Sequence, residues 1–240
     1  MLLTELYEAR QSKHAAFCFG RMNPPTIGHG KLLATTHKAA RGGDYFIFVS
    51  HTQDKKNNPL DYNTKVNFIQ RMFPMYADHV SVGGLRTIMD IAGFLYDHGY
   101  TDVTFVAGSD RLDAFKKLLT DYNGIEGGNI YYKFNNINFV SSGEREDGAE
   151  GVEGVSASQA RAAALANNLA AFTTATGAGR LAPRLFTAVR NGMGLTEDAA
   201  GVGVVATNRK MARDPRYSTS MTVDIHPDTP QKNLRAFKLA

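Results

Sequence analysis

Short apolar runs alternate along most of this chain with stretches in which apolar residues recur every three or four positions. Ala15–Phe19, Tyr45–Val49, Val103–Ala107 and Ile137–Val140 are rich in aromatic and β-branched residues with few polar interruptions. Runs of that kind predict strands, with Tyr45–Val49 and Val103–Ala107 buried ones. His79–Val82 reads as a further short strand. The stretches between them predict helices over Thr26–Ala40, Tyr62–Phe73, Thr87–His98, Gly108–Leu119 and Ser156–Ala171, with a last short one from Pro183 to Gly192. Pro25 falls in a first turn, where a missing N–H costs nothing, and Pro74 and Gly99 stand where helices must stop. Strand and helix in alternation predict an α/β chain: an open parallel sheet, right-handed crossovers, and helices on both faces.

The pattern breaks twice. Ser141 to Val155 holds four glycines and five acidic residues against one arginine, which predicts a loop, either a lid over a substrate or a plain surface connection. Beyond about residue 195 the periodicity is lost, so a core of 1–195 and an extension of 196–240 are expected. From Thr207 onward seven Lys or Arg face three Asp, a net charge of +4, so the first 206 residues are close to neutral. A basic extension can dock on an acidic partner and leaves contact with nucleic acid open, but a solvated tail has the same composition.

Other bulk features narrow the class. No apolar run approaches the roughly 18 residues of a membrane span, and the charged start (Glu5, Glu8, Arg10) does not read as a signal peptide. Cys18 is the single cysteine and lies inside an apolar run, so it reads as a small core residue. A cytoplasmic protein is expected, with no membrane partner; a homo-oligomer is left open.

Two segments carry the chemistry. The first strand runs into Gly20-Arg21-Met22-Asn23-Pro24-Pro25-Thr26-Ile27-Gly28-His29. Ligands of open parallel sheets sit outside the carboxyl ends of the strands, and a helix starting there presents N–H groups and a positive dipole end to an anion. Thr26 and His29, three apart, are expected on one face of the first turn, with Gly28 leaving room for a phosphate and Arg21 adding a cationic fork. The second segment is Ser156-Ala157-Ser158-Gln159-Ala160-Arg161, where Ser156 and Gln159 fit a capping box and Ser158 and Arg161 again share a face. Together they predict two hands on one chain of phosphates. Gly108-Ser109-Asp110-Arg111 follows a buried strand, and Asp110 reads both as a nucleotide contact and as a helix N-cap.

These residues resemble the nucleotidylyltransferase superfamily, whose members carry [His/Thr]-x-Gly-His after the first strand and Ser-x-[Thr/Ser]-x-x-Arg before a late helix. Here the motifs are Thr26-Ile27-Gly28-His29 and Ser156-Ala157-Ser158-Gln159-Ala160-Arg161. The resemblance covers about residues 13 to 190. A Thr in the first motif position has precedent among phosphopantetheine adenylyltransferases. Within the superfamily the chain looks most like archaeal-type nicotinamide mononucleotide (NMN) adenylyltransferases: Gly20-Arg21-Met22-Asn23-Pro24 resembles their Gly-Arg-Phe-Gln-Pro, and Asn58-Pro59-Leu60 their Asn-Pro-Phe. Lys65 stands where those relatives have Arg, and the chain lacks the Trp that often stacks nicotinamide. The spelling of the first motif also looks like viral members, which would place the protein in a host cytoplasm.

The resemblance implies a Rossmann-like nucleotidyltransferase fold over 1–195, with ATP as substrate and Mg²⁺ carried on its phosphates. It further implies His29, Arg21 and Arg161 as catalytic residues. The nucleotide would be bound by Gly20, Arg21, Met22, Asn23, Thr26, Gly28, His29, Gly108, Asp110, Arg111, Ser156, Ser158 and Arg161, and the acceptor by Lys55, Lys56, Asn58 and Arg86. No metal ligands are expected from the protein. The implied reaction moves AMP from ATP to a phosphate-monoester acceptor, NMN above all, giving NAD and pyrophosphate. Two alternatives stay open: a cytidylyltransferase making a CDP-alcohol, and a non-catalytic nucleotide-binding or assembly protein that uses its basic tail. Gly201-Val202-Gly203-Val204-Val205-Ala206 and Gly30-Lys31 mimic a dinucleotide fingerprint and a phosphate loop, but neither has the flanking residues such motifs need.

Overall fold

The computed structural model describes residues 13–80, 83–128, 130–143 and 156–195. The extension 196–240 and residues 144–155 of the acidic segment lie outside the described residues. Four strands, β1 (His14–Gly20), β2 (Asp44–Val49), β3 (Asp102–Ala107) and β4 (Asn136–Ser141), form one sheet in the order β2-β1-β3-β4. Every pairing is parallel. The helices among the described residues are α1 (Gly28–Ala39), α2 (Tyr62–Met72), α3 (Ile88–Asp97), α4 (Ser109–Asp121), α5 (Ala157–Leu165), α6 (Leu169–Thr176) and α7 (Ala182–Gly192). The result is the expected α/β, Rossmann-like open parallel sheet.

Alternate residues of each strand serve opposite faces. Phe17, Phe46, Phe48 and Phe105 meet α3 and α4 through Ile88, Ile91, Leu95 and Leu119 on one face. Cys18, Ile47 and Val106 meet α1 and α2 through Leu33, Val66 and Ile69 on the other. Helix α2 is buried twice over. Phe68, with Leu60 just before the helix, packs with Phe172, Leu185 and Val189 of α6 and α7 in a third cluster. The late helices therefore lean on α2 and its entry loop instead of on the sheet, which carries α5 toward the end of β1.

Three expectations need correction. The predicted helix Ser156–Ala171 is two helices: Asn167 adopts a left-handed backbone (φ 53°), and the Asn168 side chain accepts from Ala171 N at 2.9 Å, capping a new start. Helix α1 begins at Gly28, so Thr26 lies before it. His79 closes a 3-10 turn, Pro74–His79, and the only strand-like contact there is a parallel bridge from Val80 to Ile47; residues 81 and 82 lie outside the described residues.

The fit between α7 and the α2 entry loop is close. A Cβ on Gly192 would sit 2.0 Å from the Pro59 carbonyl oxygen, a backbone atom that cannot turn aside. Gly192→Ala is expected to cost about 2–3 kcal/mol by forcing the helix off the loop, read as a lower urea midpoint at unchanged slope.

Candidate functional site

The chain leaves β1 toward β2 and leaves β3 toward β4, in opposite directions along the sheet. In open α/β sheets such a divergence is where ligands are taken, outside the carboxyl ends of the strands, here β1 and β3. Residues 20–29 follow the end of β1 as a first wall of the candidate site, and Gly108 with the start of α4 follows the end of β3 as the opposite one.

The first wall is locked from within. Met22 has a positive φ of 43° and is 2% exposed, packed into the core beside Gly20. Asn23 is also buried. Its amide nitrogen donates to Leu60 O at 2.9 Å and its oxygen accepts from Leu60 N at 3.0 Å. Both residues were expected to bind nucleotide; their side chains are committed to packing and to bracketing the α2 entry loop.

Thr26 is 1% exposed, and its backbone N–H donates to His29 Nδ1 at 2.9 Å while its hydroxyl lies 3.0 Å from the same nitrogen. Since an amide can only donate, Nδ1 must accept, and a neutral ring carries its proton on Nε2. Thr26 and His29 thus meet as expected, but Thr26 orients the ring from a buried position. The amides here are less open than a bare helix start suggests. Ile27 N bonds Thr176 O, while His29 N and Gly30 N bond Thr26 O and Ile27 O.

The second motif reaches the same turn. Arg161 Nη1 donates to Asn23 O at 2.9 Å across 138 positions of sequence, and Nη2 donates to Ser158 Oγ at 3.1 Å. Burial lowers the Arg161 pKa, and the positive charge of Arg21 lowers it further, against a smaller opposing pull from Asp54. Two guanidinium groups held within electrostatic reach, with His29 on the same turn, make a strongly anion-attracting wall. Ser156 accepts from Gln159 N at 3.2 Å, so its hydroxyl serves as the helix cap. The close seat of α6 on the turn depends on Gly177 (φ +62°), where a Cβ would lie 2.4 Å from the Ile27 side chain.

On the opposite wall the N-cap of α4 is Gly108, with Asp110 in the first turn, so Asp110 is not the cap. A Cβ on Gly108 would come within 2.7 Å of Asp110 Oδ1. Asp110 also lies 3.8 Å from Arg111 Nε, an exposed pair of little energetic consequence.

The loop after β2 is organised by Asp54. Its carboxylate accepts from Lys56 N, Asn57 N and Asn58 Nδ2, and these bonds hold its pKa below the usual carboxylate value. Asn58 is buried and commits its amide to this turn. Lys55 and Lys56 are exposed, and Lys55 lies alongside Gly194 at the end of α7. Arg86 lies ahead of α3, where its backbone N–H and its charge act on Asp90.

Cys18 is buried, and burial pushes its thiol up to about 12, which suits a core residue and not a nucleophile. Among the described residues no group of three or more His, Cys, Asp or Glu could hold a metal ion, and no helix is long and apolar enough to cross a membrane.

No protein-family model matches the chain, and no curated protein matches it. Among solved structures, a Vibrio parahaemolyticus protein described as a putative nicotinate-nucleotide adenylyltransferase is similar at a TM-score of 0.44 and 15% identity, over 72% of this chain and 98% of that one.

Sequence reasoning overlooked two features. The pair of hydrogen bonds between Asn23 and Leu60 joins the first motif to the α2 entry loop, and nothing local announces it. Lys65 is 0% exposed, with its ammonium on the carbonyls of Ser50 and Thr52. The signal for Lys65 was present but faint: a lone cation between Thr64 and Val66 in a helix whose neighbouring positions are buried.

Proposed function

We propose that this protein is a nucleotidyltransferase of the nucleotidylyltransferase superfamily that moves AMP from ATP to the phosphate monoester of an acceptor nucleotide, NMN being the acceptor its motifs favour. One observation carries the reading: Arg161 of the late motif is bonded to Asn23 O in the same turn that holds Arg21 and His29. Arg161 is thereby brought to the turn that carries Arg21 and His29, an arrangement that suits a triphosphate.

In this reading an acceptor phosphate oxygen attacks the α-phosphorus of ATP, the bond from that phosphorus to the bridging oxygen breaks, and pyrophosphate leaves. A phosphate monoester is already an oxyanion near neutral pH, so no side chain need remove a proton. The work left to the protein is placement and charge stabilisation. Arg21 and Arg161 hold the leaving phosphates, and His29 donates from Nε2 to an α-phosphate oxygen as charge builds there. ATP enters as its magnesium complex, the ion carried on phosphate oxygens and water. Lys55 and Lys56 are the acceptor-side cations.

Pyrophosphate release should be measured with ATP and with CTP, each against NMN and a set of polyol phosphates. Release with ATP and NMN is the expected result. Release only with CTP and a polyol phosphate would move the protein to cytidylyl transfer, and no release from any pair would remove the enzyme reading.

A further inference from the structure

Lys65 breaks three local rules at once. Among the described residues it is the only charged side chain in the buried class. It sits in the first turn of α2, the helix end whose dipole repels a cation. Its hydrogen-bonding partners are the neutral carbonyls of Ser50, at 2.5 Å, and Thr52, at 3.4 Å. An apolar side chain of similar length would cost the fold less. Natural sequences keep such violations mainly where function requires them.

The two carbonyls locate the requirement. Ser50 is the first residue beyond β2, and its N–H donates to Gly20 O at 2.9 Å, at the start of the motif turn. Ser50 Oγ is the one buried side-chain polar atom without a partner among the described residues, so this junction is held by Lys65 and not by its own side chains. Four residues on from Ser50 comes the Asp54 turn, which acts electrostatically on Arg161 and carries Lys55 and Lys56.

Resting on the nucleotidyl-transfer reading, we propose that Lys65 is the positioning residue of the acceptor loop: its ammonium pins the carbonyls of Ser50 and Thr52 and so fixes where Lys55 and Lys56 meet the acceptor phosphate.

The charge on Lys65 is adjustable. Burial lowers its pKa from 10.5 to about 8, against a smaller opposing effect of Asp61, the N-cap of its own helix. The titratable groups of the loop that Lys65 holds are His51, stacked on Tyr62 at 3.8 Å and bonded to Gly83 O, Asp54, held by its own turn, and the exposed Lys55 and Lys56. As pH rises through about 8 the ammonium becomes an amine, and its hold on the carbonyls weakens. Global stability moves the other way. Between about 8 and 10.5 the unfolded chain binds the extra proton, so this residue's contribution to stability rises with pH. Loop order and global stability should therefore separate above pH 8.

The test uses the full chain with Lys65, with Lys65→Arg, which stays charged, and with Lys65→Met. Trypsin cleavage after Lys55 and Lys56 is followed by mass spectrometry between pH 7 and 9.5, corrected with a free peptide. Cleavage of the unaltered protein should rise about tenfold across the range, stay flat in Lys65→Arg, and be fast throughout in Lys65→Met. The KM for NMN should follow the same order while the KM for ATP does not. A Lys65→Met protein as protected as the unaltered one at pH 7, or a Lys65→Arg protein that titrates with it, overturns the proposal. If Lys65→Met does not fold, the unaltered protein and Lys65→Arg decide the matter by their pH profiles. Absence of turnover with every nucleotide pair would remove the enzyme reading, while the trypsin pattern would still decide whether Lys65 positions the loop.

Discussion

His29→Ala should lower kcat for nucleotidyl transfer about 10²- to 10³-fold, the usual effect of deleting one donor aimed at developing transition-state charge. The KM for ATP should change far less, because in the proposed reaction Arg21 and Arg161 would still hold the leaving phosphates. The prediction follows from the ring's setting. Thr26 N–H occupies Nδ1 at 2.9 Å, which makes Nε2 the donor and fixes the plane in which it donates. Thr26→Val keeps that amide and loses only the hydroxyl contact, so a fall of less than about tenfold is expected. Steady-state kinetics on the two purified variants checks both, and full turnover by His29→Ala would remove the residue from the chemistry.

Arg161→Ala should be nearly as damaging, for two reasons that can be separated. The guanidinium supplies charge to the crevice, and it also joins α5 to the β1–α1 turn through Asn23 O and Ser158 Oγ. Loss of a charged hydrogen bond of about 1.5–3 kcal/mol corresponds to roughly 10- to 150-fold in kcat/KM, with a lower urea midpoint from the broken tether. Lys at this position restores charge without the two-pronged geometry and should recover little. Arg21 gives the contrast. Its charge disfavours that of Arg161 in the ligand-free protein, so Arg21→Ala should leave the urea midpoint unchanged or higher while weakening ATP binding. Because both arginines would grip one chain of phosphates, the double variant should lose less than the product of the single losses. Strictly multiplicative losses would mean that the two side chains serve different ligands.

Much of this site could be read from the chain because its parts are local. Strand β1, the turn from Gly20 to His29 and the Ser156 cap are each written in fewer than a dozen consecutive residues. What could not be read were side-chain partners that lie far away. Met22 fills the core and Asn23 brackets Leu60, thirty-seven positions on, and nothing in the motif announces either. The Ala-rich stretch after Ser156 has good helix propensity throughout, but an Asn pair that can turn left-handed and then cap stopped it at Leu165.

The sequence by itself determined the order of strands and helices, the places where Gly and Pro punctuate them, and the two segments suited to phosphate, since each depends on periodicity and backbone preference over a few residues. Only the tertiary structure decided that Arg161 shares a wall with Arg21, that Thr26 works from beneath His29, and that a buried Lys65 holds the loop beyond β2. Those contacts exist because α2 is apolar on two sides, one for the sheet and one for α6 and α7. Packing both sides at once draws α5 and its Arg161 onto the turn that follows β1.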